Sequence, residues 1–239
     1  MNNMSYGKQM TLPILYSLRN CPFAMRARLA IFKSQQPVEL RDIVLKNKPE
    51  EMVLASPKAT VPVVVLPCST VIDESLDVML WALGESDPNN LLRSTHNQLQ
   101  ENEPQQPATS PELNEMLTLI QKFDIDFKTC LEAYKCSKRY HETNLLECRI
   151  ACEVYIKGLE NRLTQHQFIF DGNESLADIA LLPFIRQFAR VERQWYLQSP
   201  YPNVKRWLNQ YLQSAMFTKV MAKHSLWSRG QQPLVFGDV

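Results

Sequence analysis

The sequence predicts two domains of different class: an α/β domain over residues 10–84 and an all-α helical bundle over 111–227. A polar stretch at 85–110 joins them, and a tail at 228–239 follows. Three observations carry this. Strand and helix signals alternate up to Leu83, the composition then turns polar and Pro-containing, and from Pro111 onward apolar residues recur at spacings of three and four. The 239 residues suit one large domain or two small ones, with enough chain to bury a sizeable core.

The first strand is expected at 12–17, a short apolar run. Residues 22–34 set Phe23, Ala27, Ala30 and Ile31 at helical spacing, with Pro22 in the first turn, where its missing N–H costs nothing. Val38, Leu40, Ile43 and Leu45 mark a second strand over 38–45, and 49–54 a short helix. Two β-rich segments, 61–66 and 70–72, flank Pro67-Cys68-Ser69 as a tight connection. A helix over 75–83 carries Leu76, Met79, Leu80 and Leu83 along one side. The order βαβ, hairpin, helix describes a small α/β sandwich.

Residues 85–112 hold one basic side chain against five acidic and few apolar groups, as an exposed linker or long loop would. Ser110 and Pro111 then open a helix with the stripe Leu113, Leu117, Ile120, Phe127, Leu131 and Tyr134. A second stripe runs Leu145, Cys148, Cys152, Tyr155, Leu159, Leu163. Ser175 and Asp178 form a capping box at the start of a third helix, which Pro183 is expected to kink. Glu174 stands where such a box often has an apolar staple. A fourth helix opens at Tyr201-Pro202 and turns Val204, Trp207, Leu208, Tyr211 and Leu212 inward.

With 26 basic and 25 acidic side chains, the net charge of +1 argues against a bulk electrostatic nucleic-acid binder. No apolar run approaches the ~18–20 residues that span a bilayer. Residues 1–8 lack the apolar stretch of a secretion signal, so a cytoplasmic setting is expected. The six cysteines, at 21, 68, 130, 136, 148 and 152, form no C-x-x-C pair and read as free thiols. No glycine lies between Gly7 and Gly84, which excludes a Gly-rich phosphate cradle or dinucleotide fingerprint in the first strand-to-helix turn.

Chemistry is expected at Cys21-Pro22-Phe23-Ala24. A sulfur at a helix N-terminus faces unpaired backbone N–H groups and the positive end of the dipole, which favours thiolate over thiol. Arg26 and Arg28, within two turns, are expected to add to that field. Ala24 stands where a second cysteine would make a dithiol, so redox chemistry here is monothiol: attack, mixed disulfide, release by an outside thiol. The alternative is a buried cysteine that only fills a helix start. Cys148 and Cys152 lie one turn apart, with Cys136 and His141 nearby in sequence. Both fall on the apolar stripe, however, and no four-ligand spacing appears, so no metal is expected.

Strand, Cys21-Pro22-Phe23-Ala24, helix, then Val61-Pro62 and Glu74-Ser75, resembles the thioredoxin-like N-terminal domain of glutathione transferases. The 45–50 stretch and the monothiol site are most similar to the cysteine-type, omega-like branch, and the Ser175–Asp178 box with Pro183 matches the family's helical C-terminal domain. The resemblance implies glutathione as co-substrate, with Cys21 as nucleophile and Pro22 and Phe23 beside it. Ser75 and its helix N-terminus would take the γ-glutamyl carboxylate, and Glu74 the ammonium. Val61, before a cis Pro62, would offer backbone groups to the cysteinyl unit, and Lys48 would reach the glycyl carboxylate. It also implies a homodimer and an open, apolar pocket for a small hydrophobic or disulfide second substrate. Two alternatives stay open: a conjugating enzyme in which the Ser17 hydroxyl stabilises the glutathione thiolate, and a non-catalytic glutathione-binding module using the 85–112 loop and the tail as partner surfaces.

Overall fold

A computed structural model describes residues 11–94 and 110–238. Residues 1–8 and most of the 85–110 linker, with His96, lie largely outside the described part. The first domain comprises β1 (Ile14–Ser17), α1 (Pro22–Ser34), β2 (Val38–Asp42), α2 (Glu50–Ala55), β3 (Val63–Val65), β4 (Val71–Ile72) and α3 (Ser75–Glu85). The second comprises α4 (Pro111–Lys122), α5 (Lys128–Tyr140), α6 (Leu145–Gln165), α7 (Leu176–Val191), α8 (Arg193–Gln198), α9 (Pro202–Leu212) and α10 (Ala215–Val220). A single π-helical turn, Phe123–Phe127, joins α4 to α5. The expected thioredoxin-like domain and helical domain are both present; α8, α10 and the π turn were not foreseen.

Strand alternation gives the sheet two buried faces. Leu15, Val38, Leu40 and Val64 join the main core with α1 and α3, while Tyr16 and Val63 join a second cluster with Ile43, Met52 and Val61. β1 pairs parallel with β2 and antiparallel with β3, and β3 pairs with β4. The main core runs on without a break into the helical domain, where α1 packs on α7.

Two anchors lie outside what the sequence reading foresaw. The tail, largely exposed, is tied to the sheet: β5 (Val235–Phe236) pairs antiparallel with β2, so the order is β4-β3-β1-β2-β5. The Leu40 N–H donates to Leu234 O, and the Trp227 N–H to Asp42 O, each at 2.8 Å. An edge strand leaves a row of unpaired backbone groups, and the returning tail satisfies them. The start of the linker is mostly exposed, as expected, but it is anchored at Leu91 and Leu92. Asp87 accepts the N–H groups of Leu91 and Leu92 at 2.8 Å, which buries both leucines, and Leu91 O accepts from Leu176 N at the start of α7.

The second domain follows its apolar stripes closely. Ser110 caps α4, accepting from Leu113 N, and the Ser175–Asp178 box is complete at α7, which continues through Pro183. Buried Asp178 also accepts from Ile169 N at 3.0 Å and Trp207 Nε1 at 2.8 Å. Glu174 replaces an apolar staple because it has other work: it accepts from the Tyr211 hydroxyl and pairs with Lys33 of α1, across the domain boundary.

Candidate functional site

Cys21 occupies the N-cap of α1, in extended backbone, with Pro22 opening the helix and no acidic residue in the first turn. Its carbonyl accepts from Met25 N, so the first free N–H groups belong to Phe23 and Ala24. The thiol is half-buried, and Sγ lies 3.8 Å from the carbonyl oxygen of Val61. The Val61–Pro62 bond is cis. Thus two segments forty residues apart meet at the sulfur.

Beside Val61 lies a cavity of about 310 Å³ that reaches the N-terminus of α3; its wall includes Phe23, Pro62, Asp73, Glu74, Ser75 and Lys128. The Val78 N–H donates to Glu74 O, leaving the N–H groups of Ser75, Leu76 and Asp77 without a helical acceptor. This end of α3 suits a carboxylate. Ser75 is buried, and its Oγ accepts two bonds from Arg26, Nε at 3.0 Å and Nη2 at 2.8 Å. With its lone pairs so engaged, the hydroxyl is left to act as a donor.

Arg26 does not serve Cys21, contrary to expectation. It is buried, bonds Asp124 of the π turn through both Nη atoms at 2.8 Å, and packs against the Phe23 and Phe184 rings. Arg28 is fully buried too, paired with Asp42 and donating Nε to Ser17 Oγ at 2.7 Å. A guanidinium two turns into a helix cannot stay in the interior unpaired, and each has found a carboxylate. Their charges are neutralised rather than presented to the sulfur.

Of the other expected residues, Glu74 lines the cavity but is exposed and holds Lys58 at 2.6 Å. Lys58 also reaches Asp73, and the Ser56 hydroxyl, more than Lys58, holds the Asp73 carboxyl below its ordinary range. Lys48 sits half-buried between β2 and α2 and is not in the cavity wall. Ser17 is fully buried against Arg28 and faces no cavity described here. Asp124 and Lys128 were missed. They come from the helical domain about a hundred residues away, and no local pattern announces them.

A second cavity, about 540 Å³, opens between the β1–α1 loop and helices α5 and α7. Asn20, the chain neighbour of Cys21, forms part of its wall. Where an apolar pocket was expected, the wall carries Lys135, Lys138, Arg139, Arg186 and Arg190. The reason is helical phase: Tyr134 of α5 and Phe184 and Phe188 of α7 turn to the core and leave this face to the cations.

Among the described residues, no group of three or more His, Cys, Asp or Glu is disposed to hold a metal, and no helix is long and apolar enough to cross a membrane. All six cysteines are free. Cys152 is buried in the core, and burial pushes its thiol up to about 12. Cys68 is exposed, and a hydrogen bond with Thr70 holds it below its ordinary value.

The family model described as glutathione S-transferase, N-terminal domain, matches residues 15–90, and that described as glutathione S-transferase, C-terminal domain, matches 153–210. No curated protein matches the sequence. Solved structures share the fold at low identity. A glutathione transferase family member from Pseudomonas fluorescens, with two glutathione bound, is 17% identical with a TM-score of 0.72, over 90% of this chain and 95% of that one. Glutathione transferase Omega 2C from Trametes versicolor is 19% identical with a TM-score of 0.68, over 88% and 93%. Poplar glutathione transferase F1 is 16% identical with a TM-score of 0.69, over 88% and 97%.

Proposed function

This chain belongs to the glutathione S-transferase family, and from that premise we propose that it is a thiol transferase in which Cys21 forms a mixed disulfide with glutathione. One observation carries the reading. Cys21 sits at the N-cap of α1 against the Val61 carbonyl, next to a cavity that ends on the open N-terminus of α3. Sulfur, backbone groups for a cysteinyl unit and a carboxylate site thus follow one another in the order that glutathione presents its own groups.

The Ser75 hydroxyl and the first N–H groups of α3 take the γ-glutamyl carboxylate, with Arg26 orienting the hydroxyl from behind. Asp73 and Glu74 face the ammonium. Val61, before Pro62, pairs with the cysteinyl unit, and Pro22 and Phe23 flank it. Lys48, on the β2–α2 loop, is the cation proposed for the glycyl carboxylate. On a mixed disulfide of glutathione with another thiol, the Cys21 thiolate attacks the glutathionyl sulfur. A Cys21–glutathione bond forms as the substrate's S–S bond breaks, and the second thiol leaves as thiolate with the electron pair. A second glutathione thiolate then attacks the Cys21-bound sulfur, yielding glutathione disulfide and regenerating the Cys21 thiolate.

The conjugating alternative through Ser17 has less support, because that hydroxyl is buried and already accepts from Arg28. A homodimer and a cytoplasmic setting complete the proposal. The exposed apolar stripe Leu146, Ile150 and Val154 on α6 supports the first. The test is glutathione–disulfide exchange on the 2-mercaptoethanol mixed disulfide, comparing wild type, Cys21→Ser and Ser17→Ala in a Cys68→Ser background. Activity is expected to vanish in Cys21→Ser and persist in Ser17→Ala; exchange surviving in Cys21→Ser sinks the mechanism.

A further inference from the structure

The cavity beside Asn20 is built of one sign of charge. Lys135 and Lys138 come from α5 with Arg139, and Arg186 and Arg190 lie one helical turn apart on α7. No carboxylate lines it. Two acids touch its lysines from outside: Glu132 pairs with Lys135, and Glu192 lies 3.8 Å from Lys138. Glu192 is already engaged by the Tyr134 hydroxyl and by Arg149, each at 2.8 Å. Arg139, Arg186 and Arg190 have no carboxylate partner among the described residues.

These cations also crowd one another. The Arg186 guanidinium is lowered from its ordinary value by burial, then by Arg190 and by Arg19, which precedes Asn20 in the β1–α1 loop. The chain as a whole is almost neutral, at +1, so this is a local concentration of charge and no general basicity. A concave wall of one sign focuses its field into the cavity, and an anion placed there relieves the repulsion. At about 540 Å³ the cavity has the size of an ordinary small-ligand site.

We propose that this cavity receives the half of the disulfide that departs from Cys21, and that it selects thiols bearing two or more carboxylates, presented as mixed disulfides with glutathione. The proposal deepens the thiol-transfer reading and rests on it. Glutathione lies along Val61 and α3 on one side of Cys21, and the leaving thiol lies past Asn20 on the other. There the cations hold its carboxylates and stabilise the thiolate that carries away the electron pair. Arginine forks suit carboxylates in particular, because they bind them in bidentate fashion.

The experiment compares exchange on three glutathione mixed disulfides: with mercaptosuccinate (dianionic), 2-mercaptoethanol (neutral) and cysteamine (cationic). For wild type, kcat/KM should fall in that order, with the dianionic substrate favoured over the neutral one by at least about tenfold at low ionic strength and less in salt. In Lys138→Gln/Arg190→Gln, both exposed positions, that ratio should collapse toward one; Lys157→Gln, on α6, should keep it. Equal kcat/KM for the dianionic and neutral substrates, with exchange intact, overturns the selectivity and leaves thiol transfer standing. A ratio that persists in the double variant overturns the location. Should no disulfide be turned over, thiol transfer fails, and calorimetric titration of Cys21→Ser with the same compounds decides the cavity. Tighter binding of the dianionic one, lost in the double variant, sustains an anion site; equal binding overturns it.

Discussion

Replacing Asp124 with Ala should unfold the protein more readily than its partly exposed side chain suggests. Asp124 is the counterion of Arg26, whose side chain is only 3% exposed while that of Asp124 is 22% exposed. Removing one partner of a buried pair costs about 3–5 kcal/mol, because the remaining charge stays desolvated. Water reaching the vacated Asp124 side brings the expectation to the lower end, about 3 kcal/mol. At roughly 2–4 °C per kcal/mol for a chain of this size, the melting temperature should drop by about 6–12 °C. Arg26→Met takes away the charge that needs a partner and leaves an apolar stem against Phe23 and Phe184. The double variant should therefore be more stable than the sum of the singles by about 2 kcal/mol. Urea melts of the four proteins measure this. A second readout separates the two roles of Arg26: KM for glutathione should rise several-fold in Arg26→Met, because Ser75 loses its orientation. Asp124→Ala within about 0.5 kcal/mol of wild type, or strict additivity, would refute the reasoning.

Two further outcomes follow from the packing. In Asp178→Asn an amide donor faces the Ser175 N–H and hydroxyl, which should cost about 2–3 kcal/mol. Burial holds the Asp178 carboxyl at about 6 in the folded protein, above its ordinary 3.8, so the folded state binds this proton more readily than the unfolded one. The stabilisation it gives is therefore present in acid and lost as pH rises through about 6, and the stability gap between wild type and variant should widen from pH 7 to pH 5. A gap independent of pH in urea melts counts against it. Gly237 has φ +93°, and a Cβ there would lie 2.3 Å from Gln36 O. Gly237→Ala should loosen β5, raising amide exchange at Leu40 and Trp227 by at least about tenfold while Ile43, bonded to Ser17 O within the sheet, is unchanged. Equal protection in both proteins would detach β5 from that argument.

Much of the fold was legible because its signals are local. Proline at the first turn and apolar spacing located α1, and a serine with a carboxylate three residues on located α7. The same locality marked Cys21 and Ser75, since a helix N-terminus is a property of its own few residues. The two-residue β5 was not legible, because so short a strand exists only where an edge waits to be paired. The roles of Arg26 and Arg28 were misjudged for a related reason: sequence shows a charge but not whether a carboxylate lies against it.

The sequence by itself determined the two-domain architecture, the monothiol at the head of α1 and the carboxylate-ready start of α3. Tertiary structure alone decided that Asp124 neutralises Arg26 from 98 positions away, that Lys128 joins the cavity beside Val61, and that five cations of α5 and α7 converge beside Asn20. Backbone preference and amphipathic period are set within a turn or two of chain. The field in a cleft is the sum over charges that only packing brings within a few ångströms of one another.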